Sequence, residues 1–525
     1  MKAWGGFGSA SVCLLCVLAL IGGALLRLEA HRFLHIDETV SLLAAACNQR
    51  EYARLRAEVA APFAHWVPAG VWQAFLVPRH FACLREISRG LAETDMHPPL
   101  YFWLLHFWLY VVPAGLATGP SLNALFALAT GVVLFLLAQE LFGKPLVAAL
   151  AVLAWAVNPG GLEATHFARP YELLGLVSVL LAWRCVRWVR APPTREQRLR
   201  EGSVLCAVSF AGLLTQYSFV FVAAAAGAYL LLGLGPKRAL VPGALIGLGL
   251  LATNALHPTF SQMLFGHHER SAPAARTGAL NASLETLLGF FSFNYETMSA
   301  PRPTHLAVAT LLLLALGAAT AWLAFRHRRE ETASVQLRFL VFPAVLVVLL
   351  VAGMALGLLP VHATRSRYLA YFWPFFGLLV AYPFALARTK EQPMRFIVAG
   401  AAATLCGAAA LSLPEWTNPW PHERPVSSEC ERVIVPGSRR TSVFRAVLQL
   451  DSRVLVFAGS AAAIDETLAE QPLEEVCVGK GEERARVLHL LAKRHVAVSG
   501  DARRKRRAHS PSRASDEQED ADGSD

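Results

Sequence analysis

Apolar runs close to twenty residues long, separated by short polar breaks, fill the chain as far as residue 413. As helices, runs of ~20 residues match the hydrocarbon core of a bilayer. They predict spans at about 8–27, 122–142, 146–162, 170–189, 203–215, 217–234, 239–256, 305–325, 338–359, 368–387 and 396–413. The predicted fold class is mainly α: a polytopic membrane helix bundle of about eleven spans with interfacial helices and a small C-terminal α/β domain. The stretch ETVSLLAAACNQREYARL, from Glu38 to Leu55, suits a helix lying on the membrane surface. Beyond 413 the pattern changes. SRVLVFAG reads as a strand, AAIDETLAEQ as a helix, and LEEVCVG, EERARVLHLLAKRH and VAVSG as strand, helix and strand. Three parts result: a transmembrane module over 1–413, a small domain over 414–500 and a disordered charged tail over 501–525.

Charge orients this bundle. Basic clusters stand at 184–200, 235–238, 326–329 and 388–395. Short Lys/Arg-rich loops stay in the cytoplasm. Placing all four there puts the N-terminus inside and the C-terminal region outside, in what reads as a bacterial cytoplasmic membrane. The net charge of +10 is therefore a topology signal and does not point to nucleic acid. One apolar segment, HPPLYFWLLHFWLYVV at 97–112, breaks the threading if it crosses fully. Its aromatics, Tyr101, Phe102, Trp103, Phe107, Trp108 and Tyr110, suit the headgroup level, so it is read as lying along the outer interface. The N-terminal stretch resembles a signal peptide but reads as an uncleaved first helix, because Arg27 and Glu29 follow its core and further spans come after. Of nine cysteines, Cys13 and Cys16 lie inside that helix as packing residues; Cys430 and Cys477 fall in the polar part, where an outside location permits a disulfide.

Ionisable groups collect on the outer side, next to span ends: Asp37 and Glu38; Asp95 and His97; Glu163, His166, Arg169, Tyr171 and Glu172; His362, Arg365, Arg367 and Tyr368. At a lipid boundary such groups are costly unless they pair or line a cavity. Each has a structural alternative. The acids at 37–38 suit a helix N-terminus. His97-Pro98-Pro99 suits a helix start. Arg169, Arg365 and Arg367 suit lipid anchors, and Arg169 suits a pairing with Glu163 or Glu172. His267-His268-Glu269 reads as solvated, and Asn281-Ala282-Ser283 is a glycosylation sequon by pattern alone. Together, carboxylates and fixed cations at one membrane face suit group transfer from a lipid phosphate: arginine stabilises the leaving phosphate and a carboxylate takes the acceptor's proton. No phosphate-cradling glycine loop or Gly-x-Ser-x-Gly turn is present.

Four motifs stand in order: IDET (36–39), DMHPPLYFWLLH (95–106), ARPYELL (168–174) and RYLAYFWPFFGLLVA (367–381). In these the chain resembles the GT-C membrane glycosyltransferases of the protein O-mannosyltransferase and lipid A aminoarabinose transferase superfamily. The resemblance implies a polyprenyl-phosphate-linked sugar as donor, inversion at the anomeric carbon, and an extracytoplasmic site in the bilayer. It implies Asp37 as the base for an acceptor hydroxyl and Glu38 as its partner. Asp95 and His97, Arg169 and Tyr171, and Arg365, Arg367 and Tyr368 fall to donor and substrate, with Arg367 on the phosphate. One position departs: relatives often carry Glu two residues before the Arg-Pro-Tyr arginine, and here it is Phe167. The resemblance implies no obligatory metal cofactor, with a divalent cation among Asp37, Glu38 and His97 left open. The competing class is a transporter or flippase, but the internal repeat or matched broken helices expected of one are missing. A second IDET, at 464–467, has none of this company; Asp465 and Glu466 are read as opening an exposed helix of the tail domain.

Overall fold

The computed structural model describes residues 34–94, 97–156, 164–165, 167–256, 338–355, 369–386, 430–436, 442–479 and 483–499, with single positions at 318, 322, 325 and 326. The expected spans at 8–27 and 396–413, most of that at 305–325, Cys13 and Cys16, the 267–269 and 281–283 motifs and the charged tail lie outside the described residues. In chain order the elements are α1 (Ile36–Ala45), α2 (Gln49–Ala57), β1 (Trp66–Pro68), α3 (Ala69–Gln73), α4 (Leu84–Thr94), α5 (Leu100–Trp108), α6 (Thr118–Phe142) and α7 (Pro145–Ala156). Next come α8 (Tyr171–Arg190), α9 (Arg195–Thr215), α10 (Phe219–Leu234), α11 (Pro236–Leu256), α12 (Val341–Ala355) and α13 (Trp373–Leu386). Last are β2 (Arg432–Pro436), α14 (Ser442–Val447), β3 (Leu455–Gly459), α15 (Ala461–Glu470), β4 (Glu475–Val478), α16 (Arg484–Lys493) and β5 (Ala497–Ser499). The chain is mainly helical and divides into two compact units, residues 1–50 with 76–423 and residues 51–75 with 424–525.

In the first unit, helices occupy the apolar runs. Among the described residues α6 alone, with 25 residues, is long and apolar enough to cross a membrane by itself. The apolar helices α7, α10 and α13 are shorter. Helix α6 ends at Gly143, whose φ of 63° is the left-handed conformation that glycine adopts freely. Helix α8 opens with Glu172 and closes with Arg187 and Arg190, charges that complement its dipole. It packs on α6, α9 and α10; α7 packs on α13, and α9 on α11. The basic stretch at 184–200 is mostly helix, since α8 runs to Arg190 and α9 begins at Arg195. Arg184 there pairs with Glu201 at 3.1 Å.

The surface helix changes, and so does the placement of some aromatics in 97–112. The surface helix drawn through 38–55 is two helices. The chain turns between α1 and α2, with Cys47 at φ 64°, and α1 is buried from Glu38 to Ala45. From Val40 to Ala45 only Ser41 is polar, as a helix packed on several sides requires. The 97–112 segment holds only the nine-residue α5, about 14 Å long, too short to cross a ~30 Å core. Of its aromatics Tyr101 and Phe102 are fully buried, while Phe107 and Tyr110 are exposed.

The second unit is built on a five-stranded sheet in the order β1-β3-β2-β4-β5. Strands β2 to β5 are parallel, and β1 lies antiparallel on the edge with Trp66 opposite Phe457. Ile434, Phe457 and Val476 on one face meet Ile464 and Leu468 of α15 and Val487 and Leu491 of α16. Segment 51–75, which the sequence reading leaves in the first outside loop, folds into this unit. Tyr52 packs on Phe444 of α14 at 5.1 Å and Phe63 on Trp72 at 5.0 Å. Gln73 Nε2 donates to the carbonyls of Val447 (2.7 Å) and Leu450 (3.0 Å). Cys430 and Cys477 form a disulfide. Asp465 and Glu466 lie in the second turn of α15 instead of opening it. Ser460 is the cap, and Asp465 holds Arg494 Nη2 at 2.6 Å.

Candidate active site

The site forms where the start of α1 meets the loop before α8. His35 caps α1: its Nδ1 accepts from the Asp37 N–H at 3.1 Å. Glu38 closes the capping box, its Oε2 accepting from the His35 N–H at 2.7 Å. Its other oxygen, Oε1, accepts from the Ala168 N–H at 3.0 Å, so one fully buried carboxylate ties the helix start to the Arg-Pro-Tyr loop. Asp37 is the more accessible acid, with 17% of its side chain exposed. Its Oδ1 lies 3.5 Å from Arg169 Nη2 and its Oδ2 3.4 Å from His35 Nδ1. Adjacent residues thus have different environments because successive helical positions differ by ~100°.

The loop itself is held from α6. Asn123 Nδ2 donates to the carbonyl of Thr165 at 3.3 Å and to that of Phe167. Gly119 allows the close approach: a Cβ there would come within 2.6 Å of Ala168 Cα. Phe167 occupies the position where relatives carry an acid, and its ring meets His35 edge-on at 5.3 Å. Glu172 is buried in the first turn of α8 and accepts from Thr165 Oγ1 at 3.3 Å.

Asp37, Glu38 and Arg169 are therefore brought together. Arg169 pairs with Asp37, a partner that the sequence reading did not consider. His97 stands before α5, edge-on to Phe102 at 6.2 Å. Tyr171 is buried with Ala164 and Ala370. Asp95, Glu163, His166, His362, Arg365, Arg367 and Tyr368 lie outside the described residues. Two contributors went unrecognised in the sequence. His35 acts through its cap geometry, for which the Glu38 three residues on is the available signal. Tyr101 was assigned to the headgroup belt but is buried against the site. Burial drives its ionisation well above the ordinary tyrosine range; the Glu38 charge adds to this, while the Arg169 charge and the neighbouring Asn123 side chain oppose it. Its hydroxyl is a neutral hydrogen-bonding group at any physiological pH.

The acids are poorly placed to share a cation. Both Glu38 oxygens face N–H groups, and Asp37 faces Arg169 and His35. Among the described residues, the cluster of three metal-ligating side chains is elsewhere, at Cys47, Cys83 and His106.

Residues 96–258 match the family model of dolichyl-phosphate-mannose-protein mannosyltransferase. That region, under a third of the chain, spans the His-Pro-Pro and Arg-Pro-Tyr motifs and is similar to that family of membrane glycosyltransferases. No curated protein matches the chain in sequence. Among solved structures, the chain is similar to the oligosaccharyltransferase of Archaeoglobus fulgidus in complex with zinc and sulfate. The identity is 12% and the TM-score 0.44, covering 83% of this chain and 62% of that one. It is also similar to the oligosaccharyltransferase AglB of that organism with an inhibitory peptide and a dolichol-phosphate (11%, TM-score 0.43, covering 92% and 68%). A third is ArnT from Cupriavidus metallidurans bound to undecaprenyl phosphate (13%, TM-score 0.35, covering 93% and 89%). The chain spans about three-fifths of the length of the first of these.

Proposed function

We propose that the protein moves a monosaccharide from a polyprenyl-phosphate donor to an acceptor hydroxyl or amine at the extracytoplasmic face of a bacterial cytoplasmic membrane, with inversion. Asp37 takes the acceptor's proton as its oxygen or nitrogen bonds to the anomeric carbon. The bond from that carbon to the phosphate oxygen breaks on the opposite side, and the polyprenyl phosphate leaves. Arg169, with Arg367 and Arg365, offsets the charge on that phosphate. Tyr368 and Tyr171 support the arginines, and Asp95 and His97 shape the donor side. Glu38 is a positioning residue that joins Asp37 to the Arg169 loop. The observation that carries this reading is the division of labour between the two acids: Glu38 is buried and engaged through both oxygens, while Asp37 is partly open beside a fixed cation.

The test incubates purified protein with radiolabelled polyprenyl-phosphate sugars and membranes and identifies the labelled product by mass. Transfer by wild type and its loss in Asp37→Asn support the reading. Full transfer by Asp37→Asn removes the base, and an unchanged donor response in Arg367→Ala reassigns the phosphate.

A further inference from the structure

The transfer reading leaves a buried cluster unused. Cys47, just past α1, is joined to Cys83, just before α4. His106 of α5 is fully buried beside them. Its Nδ1 lies 4.0 Å from Cys47 Sγ and 3.7 Å from Cys83 Sγ, and its Nε2 lies 3.8 Å from Cys83 Sγ. Two cysteines and a histidine are zinc-binding types, but the ring is already engaged. Nδ1 is 2.7 Å from the Ala45 carbonyl oxygen and Nε2 is 3.1 Å from that of Phe81. Cys83 Sγ is almost equidistant from the two nitrogens, so it lies on the axis of neither. A metal on His106 would have to displace one of the carbonyls.

The two carbonyls identify what the ring does. Ala45 ends α1, and its oxygen is one of the helix's open C-terminal acceptors. Phe81 stands two residues before Cys83. His106 of α5 therefore stands between the two chain segments that the disulfide joins, with one N–H to donate to these carbonyls as a neutral ring and two as an imidazolium. Helix α1 packs on both α4 and α5. Toward its other end, seven and eight residues or about 10–12 Å away, stand Glu38 and Asp37. Helix α5 carries Tyr101 and follows His97. Fixing the rear of α1 on α5 fixes how the acids meet the His-Pro-Pro side of the site.

We propose that His106, together with the Cys47–Cys83 disulfide, is a positioning residue that sets the acid-bearing helix on α5. Its catalytic consequence rests on the transfer reading above; its structural consequence does not. Dithiothreitol would open the brace by two successive thiolate attacks, leaving two protein thiols and the cyclic disulfide of the reagent.

The test uses full-length protein in nanodiscs, comparing His106→Ala, His106→Gln, the Cys47→Ser/Cys83→Ser pair and the control pair Cys430→Ser/Cys477→Ser. Non-reducing peptide mapping should recover a Cys47–Cys83 linked peptide from wild type. Amide exchange over 36–45 should quicken at least tenfold in His106→Ala and in the first serine pair, and stay unchanged in the control pair. His106→Gln, able to donate to one carbonyl, should recover part of the protection and decides the matter if His106→Ala does not fold. Transfer should lose about tenfold in kcat with KM for the lipid donor within twofold. Unchanged exchange over 36–45 in the His106 variants overturns the proposal, as does one zinc per chain that depends on His106. Altered exchange in a protein whose wild type transfers no sugar would sink the transfer reading and leave the brace standing.

Discussion

Both carboxylate oxygens of Glu38 accept from main-chain N–H groups, those of His35 and Ala168. Glu38→Gln turns one of these contacts into a meeting of two donors. A buried group left unsatisfied costs about 1–3 kcal/mol, so the variant should melt several degrees lower in detergent and lose activity with it. Asp37→Asn keeps the shape and leaves both Glu38 contacts intact. Transfer should fall by ~10²–10⁴ with a near-native melting midpoint; a matched loss of stability would make Asp37 a structural residue instead. At this scale the sequence was informative where a motif names a residue. Asp37, Glu38 and Arg169 stand out as charges at a lipid boundary. Tyr101 did not, because one aromatic in an aromatic-rich run looks like the rest, and only packing turns it from the headgroups toward Asn123 and Glu38.

The loop between α7 and α8 carries Arg169, and α6 holds it in place. Gly119 lets the loop lie against α6, and Asn123 gathers its carbonyls. Gly119→Ala should push Ala168 and its N–H away from Glu38. Overpacking of this kind costs about 1–3 kcal/mol. The expected outcome is a folded protein with at least a tenfold loss of transfer, whereas unchanged kinetics would show that the loop gives way harmlessly. Long helices such as α6 and α8 were legible because apolar runs and end charges announce them. The break between α1 and α2 was not, since Ala46-Cys47-Asn48 contains neither Gly nor Pro. Strand β1 was invisible as well: three residues cannot show an alternation, and the partner strand is most of the chain away. The 36-residue separation of Cys47 and Cys83 gave no hint of pairing either. Closing a loop of that length is worth roughly 4 kcal/mol in the chain-entropy picture.

Because β1 and β3 share a sheet, residues 66–68 and 455–459 occupy one compartment, and any bilayer crossings of the chain between them must be even in number. The reading of eleven spans, less the one before β1, leaves ten, an even number that labelling can test. One more full crossing at 97–112 would make it odd. Cysteines placed at Glu58 and Glu470, both exposed, should react with an impermeant maleimide from the same side; labelling from opposite sides contradicts the sheet. Trp72 is fully buried within the second unit, and Trp72→Ala should cost about 3–5 kcal/mol there. The measurement is loss of exchange protection over 432–478, with 119–142 unaffected. The sheet also imposes a timetable. Gln73 and the Val447 carbonyl that it binds are 374 residues apart. At ~5–20 residues per second, synthesis leaves Tyr52, Phe63 and Trp72 waiting roughly 20–75 s for Phe444 to exist. During that interval the early segment is an unfinished half-core, open to proteases and in need of a holding chaperone or the membrane surface. Slowed insertion of the intervening helices should therefore appear first as cleavage within 51–75.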